Sequence, residues 1–362
     1  MLLCMRGDSF ARRSVAIVCL LICAYVLAYT VPQNSHVYGE TAPACVLYEY
    51  DGKVEHIFTH ELIFDTDAAY SPSNKLRNCF DKDHMTSREF AALLDALYTR
   101  GYVLVRLESV LDGHVTVPIG KIPLVMSFDD MTYDTHGRGC VDKLVWRDGG
   151  VWDYTAGKEP QYTRERENVT ILESFIEKHP DFSYDGGRAT LCVNGYNGIL
   201  GYRITPDCRV SEKVMERDRA EATAFVKELK NLGYSFASHT YYHKYFNSTS
   251  ASELRKDCRK WREYIAPVVG DTRVLCYPAG EHNAKSAKNK VFGEYGYDVF
   301  LCVGCHAETK YEREQGDAKF IYRKPFDGTA LRLYRDMYAH LVDTREIYDV
   351  RRFRPFSYKG GY

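Results

Sequence analysis

The sequence predicts an α/β protein, a distorted parallel (β/α) barrel preceded by one N-terminal membrane helix. Three observations carry that expectation. Strand-length apolar runs alternate with amphipathic helical stretches from residue 86 to residue 303, the pattern of a parallel sheet with crossover helices. One run, Ile122-Pro-Leu-Val-Met-Ser-Phe128, is almost continuously apolar, as a strand covered on both faces must be. The repeats are many for one chain of 362 residues, which favours one enlarged barrel over two independent domains.

In chain order, Arg6, Arg12 and Arg13 precede residues 14–31, a stretch without a charge. Its length sits at the lower limit for crossing a bilayer and exceeds a usual signal-peptide core. No clean A-x-A cleavage site follows, so residues 1–31 read as a signal anchor rather than a cleaved signal peptide. The arginines keep the short N-terminus cytoplasmic, which predicts an extracytoplasmic body, anchored to the cell membrane or secreted if cleaved. Residues 32–45, with Pro32, Asn34, Ser35, Gly39 and Pro43, read as a linker.

Residues 46–120 are expected to form an upstream α/β segment packed on the barrel. Within it, Thr86-Ser-Arg-Glu89 is a capping box before Phe90, Leu93, Leu94 and Leu97, Gly101 stops the helix, and 102–106 reads as strand. The barrel itself is assigned to 121–340. It carries an insertion at about 131–200, where Gly149-Gly150, Gly186-Gly187, Trp146 and Trp152 suggest a loop and hairpin, with a helix over 163–178. Helix 212–232, strand 234–238, a helix capped by Ser250, strand 274–277, helix 284–295 and strand 297–303 follow. Residues 341–362 are expected to add a C-terminal helix and a basic tail, Arg351-Arg-Phe-Arg354, as a small solvated patch.

Composition removes several classes of function. Lys and Arg number 48 against 49 Asp and Glu, for a formal net charge of −1; a nucleic-acid partner would call for a basic excess. With 45% hydrophobic and 27% charged residues, the chain is neither disordered nor fibrous. Nine of the twelve cysteines lie beyond the anchor, and in an exported domain some of them are expected to pair, leaving an odd one. Cys302-Val-Gly-Cys305-His306 has the form of a c-type haem attachment site. It ends an expected buried strand, where coincidence or a redox-active disulfide is the simpler reading.

Three polar clusters fall where predicted strands end: Asp129-Asp130, His239-Thr-Tyr-Tyr-His243 and Tyr277-Pro-Ala-Gly-Glu281. In a parallel barrel those ends form the rim on which active sites are built. Adjacent carboxylates are costly unless a cation neutralises them. Two histidines four apart would share one face of a helical turn, and with an Asp they form a ligand set with positions left open. Each cluster alone has an ordinary reading, as a solvated turn, a pair of packed histidines or a Tyr-Pro turn. Their joint position at strand ends is what points to chemistry.

These segments resemble the polysaccharide deacetylase (NodB-homology) family, carbohydrate esterase family four, over about residues 85–335. Ser127-Phe-Asp-Asp130 is similar to its first motif, Ser238-His-Thr-Tyr-Tyr-His243 to its H-[ST]-x-x-H motif, and Tyr277-Pro-Ala-Gly280 to its third motif in the exopolysaccharide branch. The resemblance implies a barrel of the polysaccharide deacetylase type. It also implies a metal-dependent hydrolase that removes acetyl groups from an N-acetylated polysaccharide, peptidoglycan or exopolysaccharide, outside the cytoplasm. Asp130, His239 and His243 would hold a divalent metal, Zn²⁺, and Asp129 would be the general base. Tyr277, Pro278, Gly280 and Tyr242 would face substrate or oxyanion. Tyr133, Tyr241, Tyr242 and Tyr277 would be placed to stack on sugar rings.

The sequence departs from the family pattern in three places. Asp129 and His239 lie 110 positions apart, further than in compact members. The arginine before the third motif is unmatched, Arg273 standing near it at the wrong spacing. The Leu-His motif, whose His is the general acid, is also unmatched, with His306 and His340 as candidates. That gap keeps an alternative open, a catalytically weak or inactive glycan-binding relative of the same fold.

Overall fold

The computed structural model describes residues 46–133, 138–304, 312–315 and 318–356. Seven parallel strands close into one ring: β1 (Glu55–Thr59), β2 (Ile122–Phe128), β3 (Thr190–Val193), β4 (Ser235–Ser238), β5 (Val274–Cys276), β6 (Val299–Val303) and β7 (Ala318–Pro325). They pair in chain order, and β7 closes the ring by pairing with both β6 and β1. The barrel expected from the alternating pattern is therefore present. It is distorted at β2, whose first half pairs with Tyr102–Leu104 while Ser127 and Phe128 pair with β3. The expected membrane helix lies outside the described residues, among which no helix is long and apolar enough to cross a membrane.

Alternation along the strands explains the apolar run at 122–128. Val125, together with Cys192, Ala237, Val274, Cys276, Val299, Leu301 and Ile321, fills the barrel interior. Leu124, Met126 and Phe128 point the other way, into the layer shared with helices Ser87–Thr99, Asn168–Lys178 and Glu212–Leu232. A strand with both faces covered gains from apolar residues at every position. The capping boxes at Thr86 and Ser250 are formed as expected, and helix Glu212–Leu232 ends at Gly233, whose φ of 114° the missing Cβ permits.

Several segments differ from the sequence-based expectation. Residues 46–120 do more than pack on the barrel, because Glu55–Thr59 is one of its strands. Its pattern, Glu-His-Ile-Phe-Thr, places two polar residues on a strand end and a barrel interior, so it does not read as an apolar run. The region 131–200 contains the expected hairpin, Lys143–Arg147 with Gly150–Thr155 and a third strand Gln161–Thr163. Its turn holds Asp148 and Gly149 at φ 50° and 79°, the left-handed pair that a two-residue hairpin of this twist needs. That region also supplies β3 and the helix Asn168–Lys178, which starts at 168 rather than 163 because Glu167 caps it. Helix 284–295 shrinks to Asn289–Gly293. The seven cysteines among the described residues are all free thiols, and Cys302 is buried in an outer layer with Phe300 and Phe320.

Near the C-terminus only Thr344–Ile347 of the expected helix forms, and the basic tail is not a solvated patch. Arg352 is 5% exposed and grips Glu89 through two contacts of 2.6 Å while donating to the Asp81 and His84 carbonyls. Glu89 also closes the capping box of the first long helix. The tail thus clamps that helix at its N-terminus. Replacing Arg352 with Ala leaves Glu89 buried and uncompensated, and should lower unfolding free energy by about 3–5 kcal/mol. Urea denaturation of the two proteins measures this directly; an unchanged midpoint would contradict it.

Candidate metal and active site

The C-terminal ends of the strands bring polar residues from five loops to one rim: His60 after β1, Asp129-Asp130 after β2, Asn194 after β3, His239 after β4 and the Tyr277 segment after β5. Asp130, His239 and His243 come together there. One Asp130 oxygen lies 3.6 Å from His239 Nε2 and the other 3.7 Å from His243 Nε2. Both distances are too long for hydrogen bonds. Ligand atoms about 2.0–2.2 Å from a common ion stand roughly 3.4 Å apart at tetrahedral angles, so this spacing suits a shared cation.

Neighbours orient each donor. Asn194 Nδ2 donates to Asp130 Oδ1 at 3.0 Å, and the Asn194 Oδ1 is buried without a hydrogen-bond partner. His239 Nδ1 lies 3.1 Å from the Cys276 carbonyl. A carbonyl can only accept, so Nδ1 carries the proton and Nε2 presents its lone pair to the cluster. A carboxylate and two imidazoles with open positions fit a divalent ion.

The histidine pair is not built on a helical turn, contrary to the expectation from its four-residue spacing. The segment is a loop, with Thr240 and His243 at φ 57° and 51°, and Asp130 is also left-handed at 56°. Such backbone is costly for residues with a Cβ and persists where surrounding contacts enforce it. Here Asp257, on helix Ala251–Tyr264, accepts the backbone N–H of Tyr241 at 2.6 Å and of Tyr242 at 2.9 Å. Burial pushes the Asp257 carboxyl up to about 6 against the pull of those two N–H groups.

Asp129 is buried at 3% exposure and faces Arg323 on β7 in a bidentate pair of 2.7 and 2.9 Å. Burial raises its pKa, but the guanidinium's charge and hydrogen bonds outweigh this and hold it well below the usual carboxylate range. Arg323 Nη2 also lies 2.9 Å from Cys276 Sγ, and Nη1 donates to Ser127 at 2.9 Å. Asp129, Cys192 and Cys276 form a second tight group of potential ligands. Arg323 already supplies the cation beside Asp129 and Cys276. Arg323 is thus the arginine that reaches Asp129, whereas Arg273 pairs with Asp298 on the surface. No sequence signal near the third motif could have shown it, since it lies on a strand 47 residues after Cys276.

Of the acid candidates, His306 lies outside the described residues. His340 bonds Glu55 at 2.9 Å, at the start of β1 and so at the opposite barrel end. The structure places His60 on the rim instead. Its Nδ1 bonds the Asp83 carbonyl at 2.8 Å, which fixes the proton there and leaves Nε2 to face the site. A strand-end histidine after Phe58-Thr59 was the available signal, hidden by reading 46–120 as a separate segment.

The third motif is at the rim, but its expected roles change. Tyr277 is buried, with its ring against Phe246 and Phe300 and its hydroxyl donating to Asn289 at 2.7 Å. Its N–H goes to the Leu301 carbonyl and that of Gly280 to the Tyr277 carbonyl, while Pro278 has none, so these three are not free oxyanion donors. Tyr133 and Tyr241 are also buried. Tyr242 remains half-buried, its hydroxyl tied to Asp207. Tyr245, 51% exposed and 6.0 Å ring-to-ring from His243, is the tyrosine beside the cluster that is open for stacking.

The fold and rim define a parallel barrel with an Asp-His-His cluster beside an ion-paired carboxylate. Residues 186–300 match the model of the polysaccharide deacetylase family, and over that segment the resemblance read from the motifs is borne out. No curated protein matches the chain. Solved structures that resemble it include the Streptococcus pyogenes deacetylase PplD in complex with acetate, at 14% identity and TM-score 0.44, covering 76% of this chain and 93% of that one. IcaB from Ammonifex degensii follows at 13% identity and TM-score 0.42, with 76% and 93% covered. The BpsB deacetylase domain from Bordetella bronchiseptica shows 12% identity and TM-score 0.39, with 76% and 96% covered.

Because Asp257 holds the histidine loop without touching the cluster, Asp257→Ala should weaken Zn²⁺ affinity by about 10–100-fold. Competitive titration against a chelating dye measures this. Unchanged affinity in a folded variant would show that the loop needs no such support.

Proposed function

We propose that this chain is a metal-dependent hydrolase that removes acetyl groups from an N-acetylated polysaccharide, peptidoglycan or exopolysaccharide, outside the cytoplasm. The observation that carries the reading is the convergence of Asp130, His239 and His243 beside the ion-paired Asp129 on the barrel rim. The near-neutral composition suits a polymer held by hydrogen bonds and stacking, and Tyr245 and Tyr242 supply aromatic surface next to the cluster. Residues 1–31 would tether the enzyme to the membrane.

In this reading Asp130, His239 and His243 would hold a divalent cation, Zn²⁺, which would supply Lewis-acid polarisation and lower the pKa of an attacking water. Asp129, kept ionised and aimed by Arg323, accepts the proton of the attacking water. The pairing makes Asp129 a poor base in isolation but fixes its protonation state and direction. His60, with its Nδ1–H anchored on the Asp83 carbonyl, would act as the doubly protonated imidazolium. It gives its Nε2 proton to the departing sugar nitrogen, without which the C–N bond would release an amide anion. The neutral ring left behind is reprotonated from solvent, which also takes the proton that Asp129 accepted from the attacking water. Acetate and a free amine remain. The inactive-relative reading rested on a missing acid, and His60 at the rim favours the enzyme.

The full chain loaded with Zn²⁺ should release acetate from N-acetylglucosamine oligomers. Asp129→Asn and His60→Ala should each lower that rate by about 10²–10⁴-fold while metal content stays at the wild-type level. No acetate from the metal-loaded wild type, or full activity in Asp129→Asn, would overturn the proposal.

A further inference from the structure

The three-stranded sheet formed by Lys143–Arg147, Gly150–Thr155 and Gln161–Thr163 supplies no residue to the metal cluster. Leu144, Val151 and Asp153 point into the protein and are buried. Asp153 pins the sheet there, accepting from the hydroxyls of Thr163 at 3.2 Å and Thr170 at 2.7 Å and from the Arg166 N–H at 2.8 Å. Side chains alternate along a strand, so Val145, Arg147, Trp152, Tyr154 and Tyr162 share the opposite face. Val145 stands beside Trp152 and Tyr154 beside Tyr162, the two tyrosine rings 5.4 Å apart. Trp152 Nε1 donates to the Arg147 carbonyl at 2.9 Å, which fixes its ring against the sheet. Tyr162 is 40% exposed, and Trp152 and Tyr154 are half-buried.

Two guanidinium groups border these rings. Arg147 lies 4.7 Å from the Tyr162 ring centre and 6.0 Å from that of Trp152, and Arg164 lies 5.9 Å from Trp152. Each has a carboxylate partner, Arg147 in Asp148 at 3.0 Å and Arg164 in Glu177 at 2.6 Å, so the pairs add no net charge to the face. The Arg147–Asp148 pair is exposed on both sides and such a pair is weak, so the Arg147 arm moves off Tyr162 at little cost.

Trp, Tyr and Arg also anchor protein interfaces, but a stable protein partner needs about 20–30 residues a side, far more than this patch presents. A lipid surface calls for aliphatic side chains and uncompensated cations, and Val145 is the one aliphatic side chain among the five. A neutral sugar ring satisfies both components of the face. Its C–H side packs on the electron-rich face of an aromatic ring, and its hydroxyl and acetamide oxygens accept from the bordering guanidinium groups.

We propose that this aromatic sheet face is an accessory glycan-binding surface, on which a neutral N-acetylated polysaccharide stacks against Trp152 and Tyr162. Because Asp153 holds the sheet in place, the rings are ordered before the polymer arrives and binding need not order them. The choice of polymer rests on the deacetylase reading, whereas the test reads retention on a polymer rather than acetate release.

The test is retention of the full chain on chitin beads, together with tryptophan emission during titration with N-acetylglucosamine oligomers. Wild type should bind the beads and show a saturable change in emission. Trp152→Ala and Tyr162→Ala should each weaken bead binding about two- to tenfold, the worth of one aromatic stack. Trp152→Phe keeps a ring, and should keep bead binding while losing most of the emission change. Tyr162 is exposed on an edge strand, so its variant carries the test if Trp152→Ala unfolds the sheet. No retention of the wild type, or unchanged binding by the folded alanine variants, would overturn the proposal. Retention without acetate release would leave this surface standing and remove the deacetylase reading, and acetate release without retention would do the reverse.

Discussion

Arg323 and Asp129 are withdrawn from water and bonded to each other across the barrel, and much of the rim depends on that pair. Removing a guanidinium and a carboxylate from water costs several kcal/mol per ion, repaid only by good geometry and further hydrogen bonds. The geometry here is bidentate, and Ser127 takes another of the guanidinium's protons. It exists because β7 closes the ring between β6 and β1, carrying Arg323 into the interior. Closure of the barrel and aim of the carboxylate are one structural fact.

Above that pair, the rim is assembled by strand ends rather than by any contiguous motif. Asp130 leaves β2 in a left-handed conformation, and His239 leaves β4 with its ring pinned by the Cys276 carbonyl. His243 returns through a loop held from behind by Asp257. The support comes from a helix and from neighbouring strands, so precision at the cluster draws on the packing of the whole barrel.

The sequence made the barrel legible because interior and exterior layers both want aliphatic residues, which gives runs such as 122–128. The Asp130, His239 and His243 cluster was legible because its residues follow such strands. What it hid was everything that depends on which strands are neighbours. Glu55–Thr59 was too polar to read as a barrel strand, and with it went His60. Arg323 sits far along the chain from the carboxylate it serves, and only the ring places them together. The histidine spacing suggested a helical turn, yet backbone strain and Asp257 do the work. Tyr277 and the basic tail are more buried than their residue types suggest, for a single reason. Sequence shows that Tyr277 and Arg352 are polar or aromatic, but not that Phe246, Phe300 and Glu89 are waiting to bury them.

The central claim is that Asp130, His239 and His243 hold one divalent ion. Metal content of the full chain after equilibration with Zn²⁺ and gel filtration tests it most directly. The account predicts about one tightly held ion per chain in the wild type and loss of that ion in His239→Ala and in Asp130→Ala. A wild type that elutes without metal, or variants that keep it fully, would contradict it.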